Sequence, residues 1–174
     1  MKLDRRGGEP DNRVGGLAFD ALVEQHWESV YRLVYHLCGN VHDAQDLAQE
    51  TFLKAIGARG SFREGTNLRA WLARIASNTF LDLRRRRKTS KSTPLEVDVP
   101  VITPDAAEGG EIFQVVAAAI AQLDDTQRAV FLLRTQEDLS FREIAESLGT
   151  TEETARWHMM QARRKLAKQL DGKV

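Results

Sequence analysis

Apolar residues in this chain recur at three- and four-residue steps in several separate runs and nowhere alternate over a useful length, which commits the chain to helices rather than a sheet. Phe19, Leu22, Val23, Trp27, Val30, Val34 and Leu37 form a first stripe that stops at Gly39-Asn40. A second stripe (Ala44, Leu47, Ala48, Thr51, Phe52, Ala55, Ile56) follows, with Asn40 as its N-cap. After a loop holding Gly57, Gly60 and Gly65, a third stripe runs through Leu68, Trp71, Leu72, Ile75, Ala76, Thr79 and Leu83. That helix leaves Arg74, Ser77, Asn78, Leu81 and Arg85 on its opposite face, and the basic run Arg84 to Lys88 closes it. Residues 89–110 hold Pro94, Pro100, Pro104, Gly109 and Gly110 without a sustained period, the signature of a linker. A second helical unit begins near Glu111 or Ile112, and Asp124 with Gln127, Ser140 with Glu143 and Thr150 with Glu153 have capping-box spacing.

The expected fold is therefore all-α: two small helical domains joined by a flexible linker, the second containing a helix-turn-helix. Residues 1–17, polar and glycine-rich, are expected to be a disordered leader, residues 18–88 the first domain, 89–110 the linker and 111–174 the second domain. No apolar run approaches the ~18–20 residues that span a bilayer, and the N-terminus lacks the apolar stretch of a signal peptide. Neither membrane insertion nor export is expected, and the chain is read as cytoplasmic. Cys38 is the single cysteine, which excludes an intrachain disulfide and a zinc site built on several thiolates. His26, His36, His42 and His158 lack ligand spacing, no Glu/Asp-x-x-His motif occurs, and no glycine-rich phosphate loop is present. The expectation is no metal, no cofactor and no catalysis.

Lys plus Arg number 25 and Asp plus Glu 25, a neutrality that hides segregation. Arg84 to Lys91 is wholly basic in its charges, Ser92 to Thr126 wholly acidic, and Arg156 to Val174 basic apart from Asp171. Such blocks mark local interaction surfaces.

Ser140 to Leu166 carries the most specific local signal. Phe141, Ile144, Ala145 and Leu148 face inward on a short helix ended by Gly149, and a helix capped at Thr150 or Thr151 then turns Ala155, Met159, Ala162, Leu166 and Leu170 inward. A small residue where the helices approach and a glycine in the turn suit a helix-turn-helix. Opposite the buried stripe of the second helix lie Thr154, Arg156, Trp157, Met160, Gln161, Arg164 and Lys168. Early residues of such a helix reach base edges, so Arg156, Trp157 and Gln161 are assigned to base readout and Arg163, Arg164 and Lys168 to phosphate.

In the first unit Asp43, Asp46 and Glu50 share a helix face with Gln49 beside it, an acidic surface suited to a basic partner helix. Arg74, Asn78 and Arg85 on the next helix, after a loop with Phe62 and Asn67, suit a separated DNA strand, where cations track phosphate and an aromatic or amide side chain meets an unstacked base. Asp82 can pair with Arg86 at i+4.

These residues resemble a known family. The run Asp43 to Ala55 is similar to the polymerase-docking helix of bacterial sigma factors. Leu68 to Asn78, followed by Asp82 and the arginines, resembles their −10 element helix, and Leu123 to Arg128 with Ser140 to Ala145 and the helix after Gly149 resembles their −35 module. With only these two domains, the resemblance is to the extracytoplasmic-function group of the sigma-70 family. It implies a sigma factor that binds core RNA polymerase through Asp46, Gln49 and Glu50 against the β′ clamp helices. It also implies capture of a melted −10 strand of promoter DNA by Asn78, Asp82 and Arg85, readout of the −35 duplex near the β flap, and an anti-sigma partner. Trp157 and Gln161 depart from the residues common at their positions, and Ser77 stands where a basic residue is usual. The competing reading is a helix-turn-helix regulator that is not a polymerase subunit, which leaves the acidic helix unexplained.

Overall fold

The structure, a computed structural model, describes residues 13–14, 16–63, 65, 67–89 and 104–171. Among them are seven α-helices: α1 Phe19–Cys38, α2 Val41–Gly57, α3 Leu68–Thr89, α4 Pro104–Ala121, α5 Asp125–Thr135, α6 Phe141–Leu148 and α7 Glu152–Leu170. A short 3-10 turn, Arg59–Ser61, follows α2, and a small antiparallel pair, β1 Arg13–Val14 and β2 Leu17–Ala18, precedes α1.

The helix ends obey the local chemistry of their sequences. Gly39 takes a left-handed conformation (φ 78°) and donates its N–H to Tyr35 at 2.8 Å, ending α1 as only glycine does without strain. The Asn40 side chain then accepts from the Asp43 N–H at 2.8 Å to start α2. In α5 Asp124 accepts from Gln127 N–H at 2.9 Å, and in α6 the Ser140–Glu143 capping box is complete.

Helices α1, α2 and α3 pack on one another around Leu22, Leu33, Leu37, Leu47, Phe52, Leu72 and Phe80, all at most 2% exposed. Helices α5, α6 and α7 pack around Leu132, Leu133, Ile144, Ala155 and Met159. These two sets join into one apolar cluster, and Ala119, Leu123, Ala162 and Leu166 form a smaller one between α4 and α7. The two units are thus packed together, α3 against α5 and α6 and α1 against α4 and α5, where the sequence suggests tethering alone.

Three expectations need correction. The leader is not featureless to residue 17: Val14 is 1% exposed in the core, and Gly16 (φ 81°) turns the chain back so that Val14 pairs with Leu17. A lone valine among glycines gives no periodic signal, yet it is enough to pin the segment to α1 and α2. The linker 89–110 is too long at both ends, because α3 runs to Thr89 and α4 starts at Pro104. Proline at a first helical position forfeits no hydrogen bond, so Pro104 opens a helix where it reads as a breaker. Residues 90–103, like 1–12, lie outside the described residues. Ser77, placed by periodicity on the open face of α3, is fully buried. Helix α3 has α1 and α2 on one side and α5 and α6 on the other, so its buried arc takes in Ala73, Ser77 and Phe80 as well as the predicted stripe.

Candidate functional site

Helix α2 turns Ala44, Leu47, Ala48, Thr51, Phe52 and Ala55 into the core, which leaves Gln45, Asp46 and Gln49 in solvent and Glu50 half-buried. Glu50 pairs along the helix with Lys54 at 2.9 Å. Leu53, 67% exposed, stands seven residues beyond Asp46 on the same side. Charge patterning alone passes over it; the detectable signal was an apolar residue off the buried stripe.

Asp43 is set apart from this surface. Its two carboxylate oxygens accept from the Arg87 guanidinium at 2.7 Å each, and one also accepts from Asn40 Nδ2 at 2.9 Å. The Arg87 hydrogen bonds hold the Asp43 carboxyl below the usual carboxylate range, against the opposing effect of burial. Asp43 therefore fastens the start of α2 to the end of α3.

On the next face Phe62 meets Trp71 edge-on, with centroids 5.3 Å apart, and Asn67 caps α3 by accepting from the Arg69 and Ala70 N–H groups at 3.0 and 3.3 Å. Above Trp71 opens a notch of about 460 Å³ whose walls include Lys54, Ser61, Arg74, Asn78 and Asp82. The structure thus gathers three of the predicted strand-contacting residues, Arg74, Asn78 and Asp82, around one concavity, with Phe62 one ring away. Arg85 lies beyond it, exposed, and Asp82 pairs with Arg85 rather than with Arg86 as expected.

The second unit occupies much of this face. Arg69 binds Glu137 at 2.7 Å and the Gln136 carbonyl at 3.2 Å, Arg74 reaches Ser147 Oγ at 3.3 Å, and Asn78 donates to the Ser147 carbonyl at 2.8 Å. Arg84 and Lys88 share Asp125, at 2.9 and 3.0 Å. Arg128, buried on α5, donates to the carbonyls of Leu37, Ala121 and Leu123 and so joins the ends of α1 and α4. The basic run is not simply solvated: Arg84, Arg85, Arg87 and Lys88 each have a carboxylate partner.

In the second unit Gly149 (φ 63°) ends α6 in the left-handed conformation and Thr151 caps α7, so the two helices form the expected helix-turn-helix. Ala155, Met159, Ala162 and Leu166 point inward; Arg156, Trp157, Met160, Arg163, Arg164 and Lys168 are exposed, with Thr154 and Gln161 half-buried. Trp157 is 49% exposed and touches His158 edge-on. The Arg156 guanidinium lies over the Phe141 ring, 4.7 Å from its centroid, and pairs with Glu152. Met160, 55% exposed, adds an apolar patch beside Trp157.

Among the described residues no group of three or more His, Cys, Asp or Glu side chains could hold a metal ion, and no helix is long and apolar enough to cross a membrane.

Comparison with known proteins places both units in one family. The Sigma-70 region 2 family model matches residues 22–90, and the Sigma-70 region 4 model matches residues 113–166. The ECF RNA polymerase sigma factor SigE of Mycolicibacterium smegmatis is 37% identical over 155 residues, which cover 86% of this chain; the chain spans only 60% of that relative's length. The ECF RNA polymerase sigma factor SigW of Bacillus subtilis is 31% identical, with 88% of this chain and 89% of the relative covered. In structure, the chain is similar to the sigma factor RpoE of Bartonella quintana, solved in complex with the anti-sigma factor NepR (TM-score 0.74, 27% identity, 88% of this chain and 96% of that one).

Proposed function

Because the chain belongs to the sigma-70 family, in its extracytoplasmic-function group, we propose that it binds core RNA polymerase and directs it to promoter DNA. The reading rests above all on one observation: an acidic helix face and two separate cationic helices occur on one chain in the order of regions 2 and 4. A regulator outside the polymerase leaves the first of these unexplained.

In this reading Asp46, Gln49 and Glu50 meet the β′ clamp helices, with exposed Leu53 as an apolar anchor among the charges, and Asp43 holds that surface in place through Arg87. The notch over Trp71 takes an unstacked base of the −10 strand, with Arg74, Asn78, Asp82 and Arg85 along α3 and Phe62 and Asn67 in the loop before it. Helix α7 enters the −35 major groove: Thr154, Arg156, Trp157 and Gln161 toward the bases, Arg163, Arg164 and Lys168 toward phosphate. The second domain sits near the β flap, and the segment between the domains threads toward the RNA exit channel. The chain supplies specificity and strand capture, in the cytoplasm and without catalysis of its own; the polymerase supplies the chemistry. In the closed packing Arg74 and Asn78 are both held by Ser147, so the two units separate before these side chains meet DNA. An anti-sigma factor is proposed as a further partner, by analogy with RpoE and its NepR complex.

Replacing Asp46 and Glu50 together by Lys tests the reading. The variant keeps its helical content and loses co-elution with core polymerase, with affinity about 100-fold or more lower from like-charge contact. Undiminished association overturns the proposal.

A further inference from the structure

The contact between Arg84, Lys88 and Asp125 is unlike an ordinary surface ion pair. Arg84 and Lys88 stand four residues apart on one face of α3, and each takes a different oxygen of the same carboxylate: Arg84 Nε on Oδ1 at 2.9 Å, Lys88 Nζ on Oδ2 at 3.0 Å. The Asp125 side chain is only 10% exposed. Starting α5 does not require that carboxylate, since Asp124 already caps the helix through Gln127 N–H. Two cations presented to two anionic oxygens is also how a protein grips a phosphodiester. Beside the pair lies a cavity of about 240 Å³ bordered by Asn78, Leu81, Arg84, Arg85, Lys88 and Asp125, so there is room on the cationic side for more than a carboxylate. This cavity and the notch over Trp71 share Asn78 as a lining residue, so the two lie side by side along α3. From Arg74 to Lys88 a helix rises about 21 Å, the length of several nucleotides.

We propose that Arg84 and Lys88 are a clamp for the DNA backbone, continuing the strand-contacting face of α3, and that Asp125 occupies this clamp in the closed chain in place of a phosphate. DNA and the second unit then compete for the same two cations, and the acidic residue of one domain sets how readily the other engages its template. The inference rests on the reading of α3 as a DNA-binding helix and adds to it both two contact residues and a regulator.

The test uses the full chain and a fluorescein-labelled 20-nucleotide single strand of arbitrary sequence, since phosphate contacts are sequence-independent, with anisotropy followed across a salt series. Asp125→Asn tightens binding several-fold at low salt. Arg84→Ser with Lys88→Ser weakens binding and lowers the salt slope by about 1.4, at about 0.7 per phosphate on a single strand. In that double-variant background Asp125→Asn brings no gain. The proposal falls if Asp125→Asn leaves binding unchanged, if it helps equally with and without the two cations, or if the cation variants keep the wild-type slope. Should Asp125→Asn lose its helical circular dichroism, the slope of the Arg84/Lys88 variant still decides the matter, as does the swap Arg84→Asp with Asp125→Arg, which restores a pair and binds DNA more weakly than wild type. Co-elution with core polymerase is measured in parallel. A chain that binds polymerase but fails the DNA arms loses the clamp alone, whereas one that passes the DNA arms without binding polymerase keeps the clamp and loses the sigma reading.

Discussion

Replacing Arg87 by Ala removes both hydrogen bonds to Asp43, 2.7 Å each, and leaves that carboxylate with Asn40 Nδ2 and the start of α2. A hydrogen bond to a charged group contributes about 1.5–3 kcal/mol, but the two here act on one buried acid and are not additive. The Asp43 side chain is 15% exposed and that of Arg87 34%, so solvent screens part of the attraction. A net loss of about 2 kcal/mol is expected, which at a urea m-value of about 2 kcal/mol/M lowers the unfolding midpoint by roughly 1 M. The pH dependence follows from the direction of the shift. The folded-state pKa of Asp43 is depressed, so its stabilisation is fully present above the unfolded carboxylate value near ~4 and is lost as pH falls through the lower folded value. Urea melts of wild type, Arg87→Ala, Asp43→Asn and the double variant, at pH 7 and at about pH 3, measure this directly. The gap between wild type and Arg87→Ala shrinks in acid, and the double variant costs much less than the sum of the singles. An unchanged midpoint at pH 7, or a gap undiminished in acid, refutes the argument.

Two further outcomes are expected. Arg164→Ala weakens binding to −35 duplexes of every sequence and lowers the salt slope by about one, while Gln161→Ala relaxes preference at one base pair by about 1–3 kcal/mol; a sequence-blind loss in both would erase the division between readout and clamp. Burial pushes the Cys38 thiol up to about 11, so alkylation at pH 8 should be at least about 100-fold slower in the native chain than in urea; equal rates would contradict the burial.

Most of the helical framework could be read from short-range chemistry. Gly39-Asn40, Asp124 with Gln127 and Ser140 with Glu143 each announce a boundary because the caps involve neighbours three or four residues apart. The outward face of α7 was legible for the same reason: its inner stripe is regular, and what remains is cationic. The contact between the two units was not. Its central residues, Arg69, Arg74, Asn78, Arg84 and Lys88, are polar, and a polar helix face reads as solvent-facing whether it meets water, DNA or another part of the chain. The opposed charge blocks, basic from Arg84 and acidic through Asp125, did signal interaction surfaces; what sequence could not supply is that Asp125 meets Arg84 and Lys88. Phe80 illustrates the remaining gap. It is fully buried yet lies off the single stripe of α3, because a helix packed on two sides has no single stripe.

Run-off transcription with purified core polymerase, this chain and a randomised promoter library tests the central claim most directly. The account predicts transcripts that start at sequence-selected sites only when the chain is present, and their disappearance when Asp46 and Glu50 are both changed to Lys. Core enzyme that initiates nowhere in the library with the wild-type chain, and does not co-migrate with it, would contradict the account.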